Sequence, residues 1–261
     1  MKQLNLYYLG GGGGGGSVPD GKTVTPTDDV QTLLACAGIT DKAYTTISEV
    51  LSDNATLYAV LGSNNAVDYL VRSTTWTSDI CVNPNAMSCI GGSDYCANAL
   101  LGDATWESAI CNSDSFDLVL NCKVPTMTSN TAPSGVCSSN STFSGRAPYM
   151  AFDKNTGTAW VSASNSATLT YQFNSPVCIK RISVLATSTQ GDFSLSSFSL
   201  SASEDGVTFD TLIGTTSYTI NNNKEMIVSN SKNYLYYRLS VSGGSKFAVV
   251  NEVQLYGRKI S

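Results

Sequence analysis

The sequence predicts a multidomain protein, in which a region of short helices precedes an all-β antiparallel region. Residues 45–120 repeat with a period of ten, a pattern typical of stacked structural units. In the C-terminal half, apolar residues alternate with Ser, Thr, Gln or Arg, which is the period of strands with one buried face. Pro-containing segments flank the repeat. The predicted division is 1–28 for a glycine-rich anchor and linker, 29–122 for the helical repeat domain and 123–261 for the β domain.

Composition narrows the class of protein. The chain of 261 residues is long enough for two domains with a sizeable core each. Charged residues make up only 13%, a bias that suits β-rich extracellular or virion proteins. The net charge of −5 argues against a nucleic-acid partner, because phosphate binding needs concentrated Lys and Arg. The sequence has no apolar run long enough for membrane insertion and no signal-peptide core with a cleavage site.

The chain has eight cysteines and no histidine. Disulfides are one option, but we expect reduced thiols packed in the interior, because a chain without an export signal meets a reducing cytosol. Four of the cysteines lie in the repeat: Cys81, Cys89, Cys96 and Cys111. The missing histidine disfavours zinc and removes the commonest general base. Without a nucleophile and base pair, the sequence predicts that the protein is not an enzyme.

The ten-residue repeat predicts short capped helices. One column of the repeat is aliphatic throughout: Val50, Val60, Leu70, Ile80, Ile90, Leu100, Ile110 and Leu120. A second column holds residues that can cap a helix N-terminus: Asp53, Ser63, Ser73, Asn83, Ser93, Asp103 and Ser113. Each unit is therefore a cap, a helix of about six or seven residues and a turn, and it must stack on its neighbours to be stable. Pro84, Gly91 and Gly92 predict an irregular unit.

The N-terminal segment combines apolar side chains with a glycine run. Leu4, Leu6, Tyr7, Tyr8 and Leu9 precede seven glycines at residues 10–16. The segment is either a flexible tail, because ordered glycines lose much backbone entropy, or a docking peptide that orders on a partner. As an anchor, it would attach a homo-oligomer to a larger particle.

Residues 149–162 are the most informative stretch of the β region. Phe152 precedes a polar turn, and Trp160 restarts an apolar run. Asp153, Asn155 and Thr158 place oxygen atoms on one short loop, and oxygen is the ligand type that calcium prefers. The alternative is a strand, a turn and a second strand with a buried Trp and no metal, since ordered turns are commoner than ion sites.

Four motifs, in order along the chain, resemble the discoidin-type, or coagulation-factor C-type, family of galactose-binding-like domains. They are the Ala-Phe-Asp segment that leads to Trp at residues 151–160, Ser-Glu-Asp-Gly-Val-Thr-Phe at 203–209, Tyr-Tyr-Arg-Leu at 236–239 and Asn-Glu-Val-Gln-Leu-Tyr-Gly at 251–257. The resemblance implies that the β region is an antiparallel jelly-roll sandwich.

The resemblance also implies a calcium site. Asp153 and Glu252 would bind the ion through their carboxylates, and Thr158 through its hydroxyl and carbonyl oxygens. Asn155 would be a further ligand, although it stands where many members have Asp. Lys154 replaces the Gly that is usual in the family.

Carbohydrate binding in the family implies a second site, in loops at one end of the sandwich. The matching loops are residues 144–149, 188–193 and 242–247. The candidate contact residues are Arg146, Tyr149, Phe193, Lys246 and Phe247. The aromatic residues among them could instead cap the core.

The leader and the repeat resemble segments of tailed-bacteriophage appendage and fibre proteins. The function expected first is therefore a virion structural protein, a tail or head fibre, appendage or decoration component, made in the host cytoplasm. It would join other virion proteins through its N-terminus and bind a host-surface glycan through the jelly roll. The alternative is a bacterial surface or secreted adhesin with a carbohydrate-binding module, which would need an export signal. An enzyme, such as an accessory chain of a glycosidase, ranks last.

Overall fold

A computed structural model describes residues 26–188 and 192–260. The predicted anchor residues Leu4, Leu6, Tyr7, Tyr8 and Leu9 lie outside the described residues, so the docking role of this segment stays a prediction. None of the helices in the described ranges combines the length and the apolar character needed to cross a membrane.

Short helices make up the N-terminal region. They are α1 (Pro26–Cys36), α2 (Ile47–Ser52), α3 (Asn54–Gly62), α4 (Asn64–Arg72), α5 (Thr77–Cys81), α6 (Pro84–Gly92), α7 (Asp94–Leu101), α8 (Ala104–Asn112) and α9 (Phe116–Val119). α1 begins inside the predicted linker, at Pro26, and proline is common at the first position of a helix. The regular units α3, α4, α6, α7 and α8 have eight or nine residues, slightly more than predicted.

Five of the seven predicted caps form. In each, the side-chain oxygen accepts a hydrogen bond from a backbone N–H in the first turn of the next helix. The capping residues are Asp53, Ser63, Asn83, Ser93 and Asp103. Ser73 and Ser113 do not cap. The hydroxyl of Ser113 donates to the carbonyl of Cys81 at 2.6 Å and accepts from the N–H of Ser115 at 3.1 Å, but α9 starts only at Phe116, after the N-cap position of Ser115.

The prediction of an irregular unit at Pro84, Gly91 and Gly92 is wrong. Pro84 is the first residue of α6, which Asn83 caps and which runs for nine residues. Proline is tolerated there because the first turn needs no backbone N–H donor. A Cβ at Gly91 would lie 1.9 Å from the carbonyl oxygen of Leu118, so this glycine lets α9 approach α6 closely. The short, irregular helices are instead α5 and α9.

The helices form a solenoid with three helices per turn. α1 packs on α4, α2 on α5, α3 on α6, α4 on α7, α5 on α8 and α6 on α9. The indole N–H of Trp106 donates to the carbonyl of Leu70 at 2.9 Å, from one turn of the solenoid to the next. The aliphatic column of the repeat lines the interior, and each member from Val50 to Leu120 is buried, as predicted.

All eight cysteines are free thiols. Of the four in the repeat, Cys81, Cys96 and Cys111 are buried and Cys89 is half-buried. Burial raises the pKa of Cys81, Cys96 and Cys111 to about 12. A thiol with so high a pKa is a poor nucleophile at neutral pH, so these side chains act as small apolar core residues.

Strands and one 3₁₀ helix make up the C-terminal region. They are β1 (Cys122–Lys123), β2 (Val136–Ser139), the 3₁₀ helix Pro148–Ala151, β3 (Trp160–Val161), β4 (Ser166–Leu185), β5 (Phe193–Ser203), β6 (Asp210–Ser217), β7 (Lys224–Ile227), β8 (Tyr234–Gly243), β9 (Phe247–Val250) and β10 (Glu252–Arg258).

The long strand β4 belongs to both layers of a β-sandwich. Its first half pairs with β2 and β8, and its second half pairs with β10 and β7. β5 extends the first layer by pairing with β8 and β6. The predicted alternation is confirmed on β4, β5 and β8, whose inward residues fill the core. The largest side chains enclosed between the layers are Trp160, Tyr171, Phe198 and Tyr237.

A polar interface joins the sandwich to the last helices of the solenoid. The ammonium of Lys180 on β4 lies 2.6 Å from the carboxylate of Glu107 on α8. The guanidinium of Arg258 donates to the carbonyl of Gly91 at 2.8 Å and to Asp94 at 2.6 Å. Because both cations are buried, these contacts fix how the sandwich sits on the helices.

Candidate functional site

Three phenylalanines form a cluster at the β5 and β9 end of the sandwich. Phe193 and Phe247 face each other because β5 and β9 pair there in parallel, and their ring centroids lie 4.7 Å apart in a stacked arrangement. Phe143 joins them from the loop after β2, since its backbone N–H donates to the carbonyl of Val161 on β3 at 2.7 Å. Its ring centroid lies 5.2 Å from that of Phe247. Phe143 is 39% exposed, so this phenylalanine cluster presents an aromatic surface to solvent.

Polar groups border the phenylalanine cluster. Lys246 and Asp192 precede Phe247 and Phe193 in the chain, and their Nζ and Oδ2 atoms form an ion pair of 2.7 Å. The hydroxyl of Ser245 donates to the other oxygen of Asp192. The hydrogen bond from Lys246 holds the pKa of Asp192 below its usual value, so its carboxylate is charged at neutral pH. The site therefore combines aromatic rings with a rim of charged and hydroxyl groups.

Arg146 stands at the edge of the phenylalanine cluster. A tight turn places it there, because its backbone N–H donates to the carbonyl of Phe143 at 3.0 Å. Gly145 adopts a φ of 75° in this turn, a value that glycine reaches at no steric cost. The side chain of Arg146 is exposed.

Tyr149 does not join the cluster, and its expected role in sugar contact stays a prediction. It lies in the 3₁₀ helix Pro148–Ala151, which turns its side chain onto the main core of the sandwich. Its backbone N–H donates to the side chain of Asn130 at 3.0 Å. Its packing favours the alternative in which an aromatic residue caps the core.

Sequence reasoning missed Phe143 and Asp192. Phe143 lies one residue before the predicted loop of residues 144–149, as a lone aromatic residue between Ser and Thr and two residues before a glycine. An isolated large apolar side chain in such a polar segment was the available signal. Asp192 lies within the predicted loop of residues 188–193, but its pairing with Lys246 needs the fold.

The predicted calcium loop is ordered by its own hydrogen bonds. The carboxylate of Asp153 accepts from the backbone N–H of Asn155 at 2.9 Å and from the hydroxyl of Thr158 at 2.7 Å. The side-chain oxygen of Asn155 accepts from the N–H of Gly157 at 3.0 Å, so it serves the turn. Lys154 adopts a φ of 56°, which explains why glycine would suit this position.

Glu252 faces this loop from β10. It is 7% exposed, and within the described residues its Oε1 atom has no hydrogen-bond partner. Burial and the neighbouring carboxylate of Asp153 raise the pKa of Glu252 to about 7. The side-chain amide of Asn251 donates to the carbonyls of Thr156 and Thr158, at 2.9 Å and 3.0 Å, and so ties the loop to β10.

The arrangement fits a bound cation. Two neighbouring carboxylates repel each other unless a cation or a proton lies between them, and the orphaned oxygen of Glu252 lacks a donor. No group of three or more His, Cys, Asp or Glu side chains is placed to hold a metal within residues 26–188 and 192–260. Asp153 and Glu252 would therefore supply the charge, and neutral oxygens such as those of Thr158 would complete the ligand set.

Two clefts lie away from the phenylalanine cluster. One, of about 320 Å³, lies on the outer face of the β4, β8 and β5 layer, and uncharged side chains line it, including Thr168, Ser199 and Ser240. The other, of about 430 Å³, lies beside Lys180 and Glu107 at the interface with the helices. Neither cleft has an exposed aromatic ring among its lining residues.

Comparison with known proteins identifies the fold of the C-terminal region. Residues 134–253 match the family described as F5/8 type C domain. The structure is also similar to CpGH89CBM32-5 from Clostridium perfringens in complex with GalNAc-β-1,3-galactose, with 16% identity and a TM-score of 0.42 over 47% of this chain and 94% of that chain. It is similar to the C-terminal domain of a chitobiase from Bacteroides fragilis, with 19% identity and a TM-score of 0.43 over 50% of this chain and 98% of that chain. None of the curated proteins matches the chain.

The protein thus consists of an N-terminal region of short helices followed by a β-sandwich F5/8 type C domain. The structure places the four sequence motifs at defined points of that domain. Residues 151–160 run from the end of the 3₁₀ helix to the start of β3. Residues 203–209 run from the end of β5 towards β6, residues 236–239 lie in β8, and residues 251–257 fall almost wholly in β10.

Proposed function

We propose that the F5/8 type C domain binds a glycan at the phenylalanine cluster. The observation that carries this proposal is the geometry of the cluster, in which an exposed ring, Phe143, stands beside two stacked rings and a charged rim. Aromatic rings pack against the apolar face of a sugar, and the few polar groups around them fix its orientation through hydrogen bonds. The match of residues 134–253 to the F5/8 type C family supports the same reading.

A calcium ion bound by Asp153, Thr158 and Glu252 is part of this proposal. The ion would supply positive charge between two carboxylates and no reaction chemistry. The chain's own residues already hold the loop, through the bonds of Asp153 within it and of Asn251 across to it. The orphaned Oε1 atom of Glu252 is the feature that supports a bound ion over a metal-free turn.

For the biological setting, we favour a bacterial surface or secreted adhesin over a phage virion component. The family match supports a carbohydrate-binding module, and it adds nothing to the resemblance of the leader and the repeat to phage proteins. In this setting the solenoid is a rigid support that carries the module, and the chain binds without catalysing a reaction. Antibody labelling of intact producing cells tests the setting: surface labelling supports the adhesin, whereas recovery of the chain only in purified virions contradicts it.

Glycan binding is tested by screening the full chain on a glycan array and then measuring the affinity of a bound glycan by calorimetry. We expect Phe143→Ala and Phe193→Ala to weaken binding about 10-fold or more, because each removes an aromatic contact with the sugar. Phe209→Ala is the matched control, since the ring of Phe209 stacks on Arg238, 3.6 Å away, and not on the cluster. Equal affinities for all four proteins would refute the proposed site.

A further inference from the structure

The charges around the phenylalanine cluster do not cancel. The charge of Lys246 is balanced by the carboxylate of Asp192. The second oxygen of that carboxylate accepts a hydrogen bond from the hydroxyl of Ser245. The guanidinium of Arg146 makes no ion pair or side-chain hydrogen bond with any residue in the described ranges, and it is exposed. The rim of the cluster therefore carries one uncompensated positive charge, in a chain whose net charge is −5.

The turn that positions Arg146 also brings it close to the aromatic surface. The bond from its backbone N–H to the carbonyl of Phe143 closes a β-turn, with Gly145 at the position that requires a positive φ. The Cα atoms of the first and last residues of such a turn lie within about 7 Å of each other. An extended Arg side chain spans a similar distance, so its guanidinium can reach a sugar that rests on Phe143.

We infer that Arg146 binds a carboxylate of the glycan, so that the site selects acidic saccharides. This inference rests on the proposed function and names the class of glycan. A guanidinium stays protonated at all physiological pH values and offers parallel N–H donors, which match the two oxygens of a carboxylate. Lys246 cannot take this role without losing its ion pair with Asp192. The acidic chain offers an anionic glycan no general attraction, so selection depends on this one local cation.

The test uses the full chain on an array of matched glycan pairs that differ in the carboxylate. Suitable pairs are oligogalacturonate and its methyl ester, sialyllactose and its methyl ester, and glucuronate and glucose disaccharides. We expect the acidic member of at least one pair to bind about 10-fold or more tightly than its neutral partner. Arg146→Gln should abolish this difference. Arg146→Lys should keep part of it, because Lys has the positive charge but lacks the paired, parallel N–H donors of the guanidinium.

Lys232→Gln is the matched control, because it removes an exposed positive charge outside the cluster and should preserve the preference for the acidic member. Thermal melts that match the wild type would confirm that the variants are folded. The inference is overturned if acidic and neutral members bind equally well, if Phe193→Ala abolishes this binding and if Arg146→Gln leaves it intact. Glycan binding at the phenylalanine cluster would still be supported by that result. Binding of no saccharide on the array would overturn the proposed function and the inference together.

Discussion

Lys180 of the sandwich and Glu107 of the solenoid form an ion pair across the interface of the two regions, with 2.6 Å between Nζ and Oε1. Lys180 is 4% exposed and Glu107 is 9% exposed. The ammonium also donates to the carbonyl of Leu101 at 3.2 Å. Because a charge that leaves water loses its hydration, each member of the pair depends on the other for compensation. The pair therefore makes the position of the sandwich on the helices specific.

Removing one partner of this pair should destabilise the whole chain. Glu107→Gln leaves the ammonium of Lys180 without a counter-charge, and we expect the free energy of unfolding to fall by about 3–5 kcal/mol. The double variant Glu107→Leu with Lys180→Met removes both charges and should be more stable than Glu107→Gln. Denaturant unfolding of the three proteins measures this difference. A Glu107→Gln protein as stable as the wild type would mean that water already compensates Lys180.

The sandwich should fold without the helices, provided that the fragment includes β1. β1 pairs with β10 through Cys122 and Lys123, and Val124 is 1% exposed in the core of the sandwich. A fragment of residues 125–261 lacks these contacts, so we expect it to be about 1.5–3 kcal/mol less stable than a fragment of residues 121–261, mainly from the lost burial of Val124. Circular dichroism should show a β-type spectrum and a cooperative melt for both. Equal melting temperatures, or a helical spectrum, would contradict the assignment of β1 to this domain.

Chelation of calcium should lower the melting temperature of the full chain. An ion that binds only the native state adds about 2.7 kcal/mol when its concentration is 100 times Kd. Asp153→Asn removes one of the two proposed charged ligands and should abolish the response to chelator. Asp205→Asn is the matched control, because Asp205 makes the same kind of turn, accepting from the N–H groups of Val207 and Thr208. A wild-type melt that chelator does not change would mean that the loop is metal-free.

Stability should fall at alkaline pH because of the buried thiols. Burial raises the pKa of Cys81, Cys96, Cys111 and Cys137 from 9.0 to about 12. Above pH 9.0 the unfolded chain loses these protons while the native chain keeps them, so the free energy of unfolding falls as the pH rises. Each thiol lowers the free energy of unfolding by at most about 1.4 kcal/mol per pH unit above pH 9.0. Below pH 9.0 its stabilisation is fully present.

Denaturant unfolding at pH 8 and pH 10 measures the loss. Cys96→Ala should reduce it by the share of one thiol, because alanine does not titrate. The same stability at both pH values would contradict the burial of these thiols.

The sequence predicted the local elements well because their causes are local. The caps at Asp53 and Asp103 depend on residues two or three positions away, and the alternation on β4 depends on the residues of one strand. Pro84 was misread because a proline breaks a helix in its interior but not in its first turn. The predicted cap at Asn83 already places Pro84 in the first turn, so the cap column contained the signal that the proline is tolerated.

Features that depend on distant residues could not be predicted in this way. The three-helix turn of the solenoid arises from contacts such as that of Trp106 with Leu70, which lie 36 residues apart. Lys180 and Glu107 lie 73 residues apart, and in the sequence they cannot be distinguished from ordinary surface charges. Only the fold brings them together. At the candidate site, the family resemblance names Phe193 and Phe247 as candidates, and their pairing is visible only in the structure. The place of Phe143 beside them depends on the hydrogen bond between its loop and β3.

Protein NMR shows directly whether a glycan binds at the phenylalanine cluster. The full chain, labelled on its phenylalanine rings and backbone amides, is titrated with the glycan that binds most tightly on the array. We predict that the ring signals of Phe143, Phe193 and Phe247 shift together and saturate with the affinity measured by calorimetry. Shifts confined to the uncharged cleft around Thr168, Ser199 and Ser240, with the three rings unchanged, would mean that the glycan binds in that cleft and not at the phenylalanine cluster.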